Sequence, residues 1–343
     1  MSWFFILLLV GSTLLTGVIR HYALKRKVLD IPNQRSSHNV PTPRGGGLAI
    51  VLIFTCAAIV LYLNNRIGFV ELTTLSAGLP VAVIGFCDDH AHVSARWRFI
   101  THVLAASAVL FFLQSMPLIL VPAPLDGLLH RWIVNLHWLG YPLGVLMLVW
   151  CLNMFNFMDG IDGIAASECI FIAVALAGYT YYIDHQVFML GVSLAVASLG
   201  FLVWNWPRAS IFMGDVGSGF LGLILGILIL LATRQAAVML YCGVILLGVF
   251  LVDATYTLLY RFFSGQNWHQ AHCSHAYQHA AKRYGHFKVL CVCWGINLFW
   301  LLPISLWVFL HPSHALLGVT LAFLPLLCLV FHFKAGQADW VSQ

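Results

Sequence analysis

Four polar residues stand at strict three-residue spacing in the segment NMFNFMDGIDG: Asn153, Asn156, Asp159 and Asp162. They follow the apolar run YPLGVLMLVWCL, in a chain where only 8% of residues are charged. On a helix of 3.6 residues per turn, a period of three drifts around the cylinder and forms no single stripe. Gly160 and Gly163 loosen the backbone, so the spacing predicts a helix ending near Asn156 with both aspartates on a turn. Amide and carboxylate oxygens of this kind suit a hard cation such as Mg²⁺, and hydroxyl-rich ligands. Helix capping with an Asx turn would account for one such residue but hardly for four.

Other clusters extend this chemistry. CDDHAH sets Asp88 beside Asp89, and adjacent carboxylates persist where a cation or proton relieves their repulsion. In FMGDVGSGFLG, Asp215 opens a helix behind Gly214, with Gly217 and Ser218 following; a phosphate or metal-phosphate could dock there, or Asp215 could serve as a helix cap. Gly217, Gly219 and Gly222 formally match a dinucleotide fingerprint, but no strand precedes them, so close helix packing is the better reading. HQAHCSHAYQH supplies His269, His272, His275 and His279; without a second Cys pair they suit phosphate contact, or plain exposure, better than structural zinc. RSSHNVPTPRGGG offers Arg35, His38 and Arg44, and arginine favours bidentate phosphate contact. Asp253 is an acid inside an apolar segment, where either a functional role or pairing with an Arg or His would explain it. There is no Walker lysine, no Ser–His–Asp order and no His-Glu-x-x-His motif. The inventory fits phosphoryl transfer, which needs a metal to neutralise phosphates, cationic contacts and a positioned nucleophile.

The elements that must position these groups follow from composition. The 343 residues are 61% hydrophobic, far too apolar to cover a soluble surface. The apolar runs do not alternate, which excludes a β-barrel and leaves helices. The expected fold is all-α and polytopic, a single domain over residues 1–343. About eleven transmembrane spans are expected, near 2–22, 47–63, 69–87, 99–121, 136–156, 165–183, 187–205, 211–231, 236–260, 288–310 and 315–333. The first run lacks a basic n-region and a small-x-small cleavage site, so it reads as a span with the N-terminus outside. The C-terminus is then cytoplasmic. On this threading fourteen Lys and Arg face the cytoplasm and only Arg66, Arg131 and Arg234 lie outside. All five polar clusters fall at cytoplasmic span ends, a partition that did not use their acids or histidines. One lipid reactant and one soluble reactant are the natural pair for such a face. The net charge of +5 points to an anionic membrane face or anionic substrates, and no nucleic-acid motif is visible. Nine cysteines without paired spacing read as small buried hydrophobes. A secondary transporter would carry its ionisable groups near the midplane, often with inverted repeats, and neither is seen. An intramembrane metal hydrolase would want clear His or Glu zinc ligands on helices.

The ordered set PTPRGGG, GFCDD, NMFNFMDGIDGIA, FMGDVGSGFLG and HCSHAYQH resembles the polyprenyl-phosphate N-acetylhexosamine-1-phosphate transferases, the membrane enzymes of glycosyltransferase family 4. The resemblance covers about residues 35–280. It implies a Mg²⁺-dependent cytoplasmic site in a bacterial inner membrane, with Mn²⁺ as a substitute. The reaction it implies moves a sugar-1-phosphate from a UDP-N-acetylhexosamine to undecaprenyl phosphate and releases UMP. By motif position, Asn156 and Asp215 match the metal ligands. Asp88 and Asp89 match the pair linked to the lipid phosphate, and Asp159 and Asp162 match positions near nucleotide and metal. His272 and His275 match the histidine loop, expected to contact phosphate or sugar, with His275 counted alongside the four aspartates as catalytic and Tyr277 and Gln278 beside it as substrate contacts. Arg35, His38, Arg44 and Asn153 complete the expected substrate-binding set. Where several members carry lysine after the aspartate pair, this chain has His92, so Arg96 or Arg98 must supply the cation. HCSHAYQH is closer to the O-antigen-initiating branch than to the muramoyl-pentapeptide enzymes. That favours UDP-GlcNAc or a 6-deoxy relative such as UDP-FucNAc or UDP-QuiNAc. Family members often form homodimers.

Overall fold

The structure is a computed structural model that describes residues 2–32, 40–114, 116, 118–129, 133–267 and 272–337. Arg35, His38, Arg131 and His269 lie outside the described residues. In chain order the helices are α1 Ser2–Arg26, α2 Leu48–Leu63, α3 Phe69–Ser76, α4 Gly78–His90, α5 Ala95–Leu113, α6 Leu125–Leu129, α7 Gly140–Met158 and α8 Ile164–Thr180. They continue as α9 His185–Asn205, α10 Asp215–Gln235, α11 Met239–Leu246, α12 Gly248–Phe263, α13 Ala276–Tyr284, α14 His286–Ile296, α15 Leu302–Leu310 and α16 Ala315–His332. Two short antiparallel pairs complete the described elements: β1 Leu29–Asp30 with β2 Thr42–Pro43, and β3 Ile119–Leu120 with β4 Ile133–Val134.

Among the described residues, eight helical stretches are long and apolar enough to cross a membrane. The α11–α12 pair, bent by 71°, makes a ninth. The shorter apolar helices α2 and α8, below that length, fall on the two remaining expected segments. The fold is therefore all-α and polytopic. Two expected spans differ in detail. The third is broken at Ala77 between α3 and α4. The fourth runs over 95–113, stopping eight residues early. Gln114 takes a left-handed conformation at φ 62° there, and Pro122 and Pro124 beyond it cannot continue a helix.

The bundle is organised around α10, whose residues from Val216 to Thr233 are all buried. It packs against α2, α4, α7, α8 and α9, while α1 lies outside α9 and α5 lies against α4 and α7. The C-terminal helices α11, α12, α15 and α16 pack on one another and reach α7, α8 and α10. A helix apolar on every side belongs at the centre of such a bundle. The perimeter instead exposes Trp3, Phe111, Phe299 and Phe331, as a lipid-facing surface would. Small residues let the inner helices approach closely. A side chain at Gly47 would strike the backbone of Gly217, and one at Gly85 the backbone of Asp215. These contacts draw the first turns of α2 and α10 and the last turns of α4 to one end of the bundle. The nine cysteines are unpaired.

Candidate active site

Two loop motifs zip together first. Phe212 N–H donates to Pro43 O at 2.8 Å, and Gly46 and Gly47 donate to Phe212 O and Met213 O at 2.9 Å each. This brings PTPRGGG onto FMGD, 166 positions apart in the case of Gly46 and Phe212. Gly214 then turns at φ 76°, and a side chain there would collide with the Asp89 carboxylate. Glycine is required both for the angle and for the approach.

The adjacent aspartates of α4 divide their work, because successive helical residues point about 100° apart. Asp89 is buried and accepts from Asp215 N–H at 3.0 Å and Val216 N–H at 3.3 Å, capping α10 from a neighbouring helix. It also accepts Arg44 Nε at 2.9 Å and Nη2 at 2.5 Å. Burial pulls the Arg44 guanidinium down, but the Asp89 charge and hydrogen bonds outweigh it and leave Arg44 more firmly protonated. Asp88 faces the other way. Its Oδ1 accepts Val93 N–H at 2.7 Å and its Oδ2 accepts Arg98 Nη1 at 2.7 Å.

The same Arg98 nitrogen also donates to Asp215 Oδ2 at 2.7 Å. Asp215 Oδ1 accepts Asn156 Nδ2 at 3.0 Å, and Asn156 donates equally to Ser218 Oγ. Asn156, Asp88, Asp215 and Arg98 thus form one connected set from α7, α4, α10 and α5. Helix α7 ends at Met158, two residues later than its sequence suggests, with Asp159 as its cap and Asp162 on the turn to α8. Asp159 lies within the fields of Asp215, Asp89 and Asp162; burial first, then those charges, hold its carboxyl well above the usual carboxylate range.

Asp162 is spent on the turn itself. It accepts Ala209 N–H at 3.2 Å and lies 3.3 Å from His286 Nδ1. Gly163 N–H donates to Asn205 Oδ1 at 2.9 Å, fixing the start of α8. Asn153 donates to Val149 O of its own helix at 2.7 Å, so it is not tied to the cluster.

The histidine loop is anchored by Asp253 of α12. The carboxylate accepts Ala276 N–H at 3.0 Å, Tyr277 N–H at 2.9 Å and Thr257 Oγ1 at 3.0 Å, and lies 3.3 Å from His275 Nδ1. The partner for this intramembrane acid is therefore His275 together with the helix α13 N-terminus. His275 is buried, caps α13, and receives the return contact of a capping box, its N–H donating to Gln278 Oε1 at 3.2 Å. Tyr277 donates its hydroxyl to Phe157 O at 2.9 Å, pinning α13 to the last turn of α7 beside Gly160. Burial, then Asp253 and Asp159, keep that phenol protonated. His272 stacks 5.0 Å from His275; burial, His275 and Arg261 push it down to about 3, so it is neutral.

Arg98, Ser218 and His286 join the network without having been singled out as site residues. Arg98 carried one signal, the displaced cation after the aspartate pair. Ser218 stood in the small-residue loop. Nothing local marks His286.

A hard divalent cation such as Mg²⁺ is commonly held by one or two carboxylates plus substrate phosphates. Among the described residues no three His, Cys, Asp or Glu side chains form a complete cage. The oxygen donors Asp215, Asp88 and Asn156 nevertheless fit such an ion, and one positively charged Arg98 nitrogen already lies 2.7 Å from an oxygen of each aspartate.

Residues 71–233 match the family described as glycosyl transferase family 4. A probable undecaprenyl-phosphate N-acetylglucosaminyl 1-phosphate transferase of Bacillus subtilis is 31% identical over 269 residues, covering 76% of this chain and 72% of that one. A decaprenyl-phosphate N-acetylglucosaminephosphotransferase of Mycolicibacterium smegmatis is 31% identical over 228 residues, covering 62% and 55% respectively. A phospho-N-acetylmuramoyl-pentapeptide-transferase of Dinoroseobacter shibae is 29% identical over 295 residues, covering 71% and 77%. The chain belongs to the polyprenyl-phosphate N-acetylhexosamine-1-phosphate transferases of glycosyl transferase family 4.

Proposed function

We propose that this protein transfers N-acetylhexosamine-1-phosphate from a UDP-sugar to undecaprenyl phosphate and releases UMP. The reaction takes place at the cytoplasmic face of a bacterial inner membrane and initiates an O-antigen or related envelope polysaccharide. The observation that carries this reading is the convergence of Asp88, Asn156 and Asp215 from three helices at one end of an apolar bundle. A phosphate on a lipid anchored in the bilayer and a soluble nucleotide-sugar can meet at such an end. The UDP-GlcNAc class of donor is favoured because the Bacillus and Mycolicibacterium relatives are named for N-acetylglucosamine.

Asp88 orients the lipid phosphate, and an ionised phosphate oxygen attacks the sugar-bearing phosphorus. The bond from that phosphorus to the bridging oxygen breaks, and that oxygen departs with UMP. Asp215 and Asn156, with Asp88, would hold Mg²⁺ or Mn²⁺, which supplies neutralisation of the donor phosphates. Asp159 and Asp162 border the nucleotide end. Asp89 and Arg44 hold the α10 N-terminus in register beneath the site. Asp253, His275, Tyr277 and Gln278 position the histidine loop, leaving His272 as its contact to phosphate or sugar.

Purified protein with Mg²⁺, undecaprenyl phosphate and a panel of UDP-N-acetylhexosamines should release UMP with UDP-GlcNAc or a 6-deoxy relative. Folded protein that releases none with any donor would end this reading.

A further inference from the structure

The two arginines of the acid cluster are held in different ways. Arg44 meets a carboxylate that is fully buried and already bound to two backbone N–H groups, so its partner has no freedom to exchange it. Arg98 stands in the first turn of α5, its side chain as exposed as that of Arg44, so the difference lies in the partners. A single nitrogen of Arg98 contacts one oxygen of Asp88 and one of Asp215 at the same 2.7 Å. Those carboxylates come from α4 and α10 and share no other cation in the described contacts. His92 lies 4.0 Å from Asp88 but is almost wholly exposed. One monovalent cation between two carboxylates is the arrangement a divalent ion would occupy with better charge balance. Arginine also sits on a long side chain, at the mouth of the site, where it can leave without unfolding a helix.

We propose that Arg98 is an internal stand-in for the divalent cation. It holds Asp88 and Asp215 together in the metal-free protein and is displaced from them when the ion binds. This rests on the reading of Asp88, Asp215 and Asn156 as the cation site. Displacement has a thermodynamic signature, since an ion that must evict a resident group binds more weakly by the fraction of time the site is free.

The test measures Mn²⁺ binding to detergent-purified protein by the loss of the free-ion electron paramagnetic resonance signal, without lipid or nucleotide. Arg98→Gln should bind Mn²⁺ about tenfold more tightly than the wild type, and Arg98→Lys by a smaller factor. Arg96→Gln removes the same charge from the same turn of an exposed side chain and should change the affinity less than about twofold. In chelator, Arg98→Gln should melt below the wild type, with Mg²⁺ giving it the larger gain. Equal or weaker Mn²⁺ binding by both Arg98 variants would overturn the displacement. Tightening in Arg96→Gln equal to that in Arg98→Gln would overturn it too, assigning the effect to net charge. Absence of Mn²⁺ binding in all four proteins would remove the cation site itself, a failure distinct from either of those.

Discussion

Asp215 and Asp253 are both carboxylates at the same end of the bundle, yet their surroundings are opposite. Asp253 has 6% of its side chain exposed and accepts two backbone N–H groups, a hydroxyl and an imidazole contact. Its charge is consumed in fixing α13. Asp215 has 27% of its side chain exposed. It is crowded by Asp88, Asp89 and Asp159 and relieved by one arginine and one amide. Its charge meets fewer donors and more like charges, and on the proposed function it is the one held for the ion. A structural carboxylate adds stability, whereas a carboxylate kept for chemistry usually subtracts it.

Exchange of each aspartate for asparagine should therefore move activity and stability in crossed directions. Asp215→Asn should lower kcat by about 10³-fold, the scale of losing a principal electrostatic contact in phosphoryl transfer. Its melting temperature should hold or rise, because Arg98 and Asn156 keep partners while like-charge crowding falls. Unchanged turnover, or a clear loss of stability, would break the comparison. Asp253→Asn should do the reverse. An amide can satisfy fewer of the N–H donors, costing about 1–3 kcal/mol for each left unpaired. Thermal unfolding in detergent should show a lowered melting point, with kcat falling less than in Asp215→Asn. A stable Asp253→Asn with abolished turnover would move Asp253 into the chemistry.

Smaller effects sharpen the same contrast. Tyr277→Phe deletes the phenol hydroxyl, with its bond to Phe157 O and its contacts to Gly160 and Gln278; each such bond is worth about 0.5–1.5 kcal/mol, and steady-state assays should show a loss of a few-fold in kcat/KM. A loss as deep as that of Asp215→Asn would make the phenol a participant. His272→Asn should leave the acid limb of the pH–rate profile in place, because burial, His275 and Arg261 already keep that imidazole ring neutral down to about 3. A shift of that limb would show that His272 titrates in the working range. Asn153→Ala, which removes a bond within one helix, should change turnover less than about twofold.

The spans were legible because a bilayer demands near-continuous apolar runs. The central place of α10 was not, since α16 lies in a stretch just as apolar yet is mostly unburied. The early end of α5 was less so, since the left-handed Gln114 is not marked by a glycine. At the site, the residue types and their shared end of the bundle could be read from spacing and charge. The division between Asp88 and Asp89 could not, because it depends on Arg44 arriving from 45 positions away and on the α10 N-terminus from 126. The bridge from Arg98 to Asp215 spans 117 positions and is likewise tertiary. Tyr277 and Gln278 are polar groups in a suggestive loop, and their conversion into caps and anchors follows from where α13 docks.

On the proposed function a phosphoryl group, and not the bare sugar, moves to the lipid. UDP-GlcNAc labelled with ³²P at the phosphate bearing the sugar, incubated with purified protein, Mg²⁺ and undecaprenyl phosphate, tests it directly. Label is expected in the organic-extractable lipid, with unlabelled UMP in the water phase. Label remaining in released UDP, with unlabelled lipid-linked sugar, would contradict it.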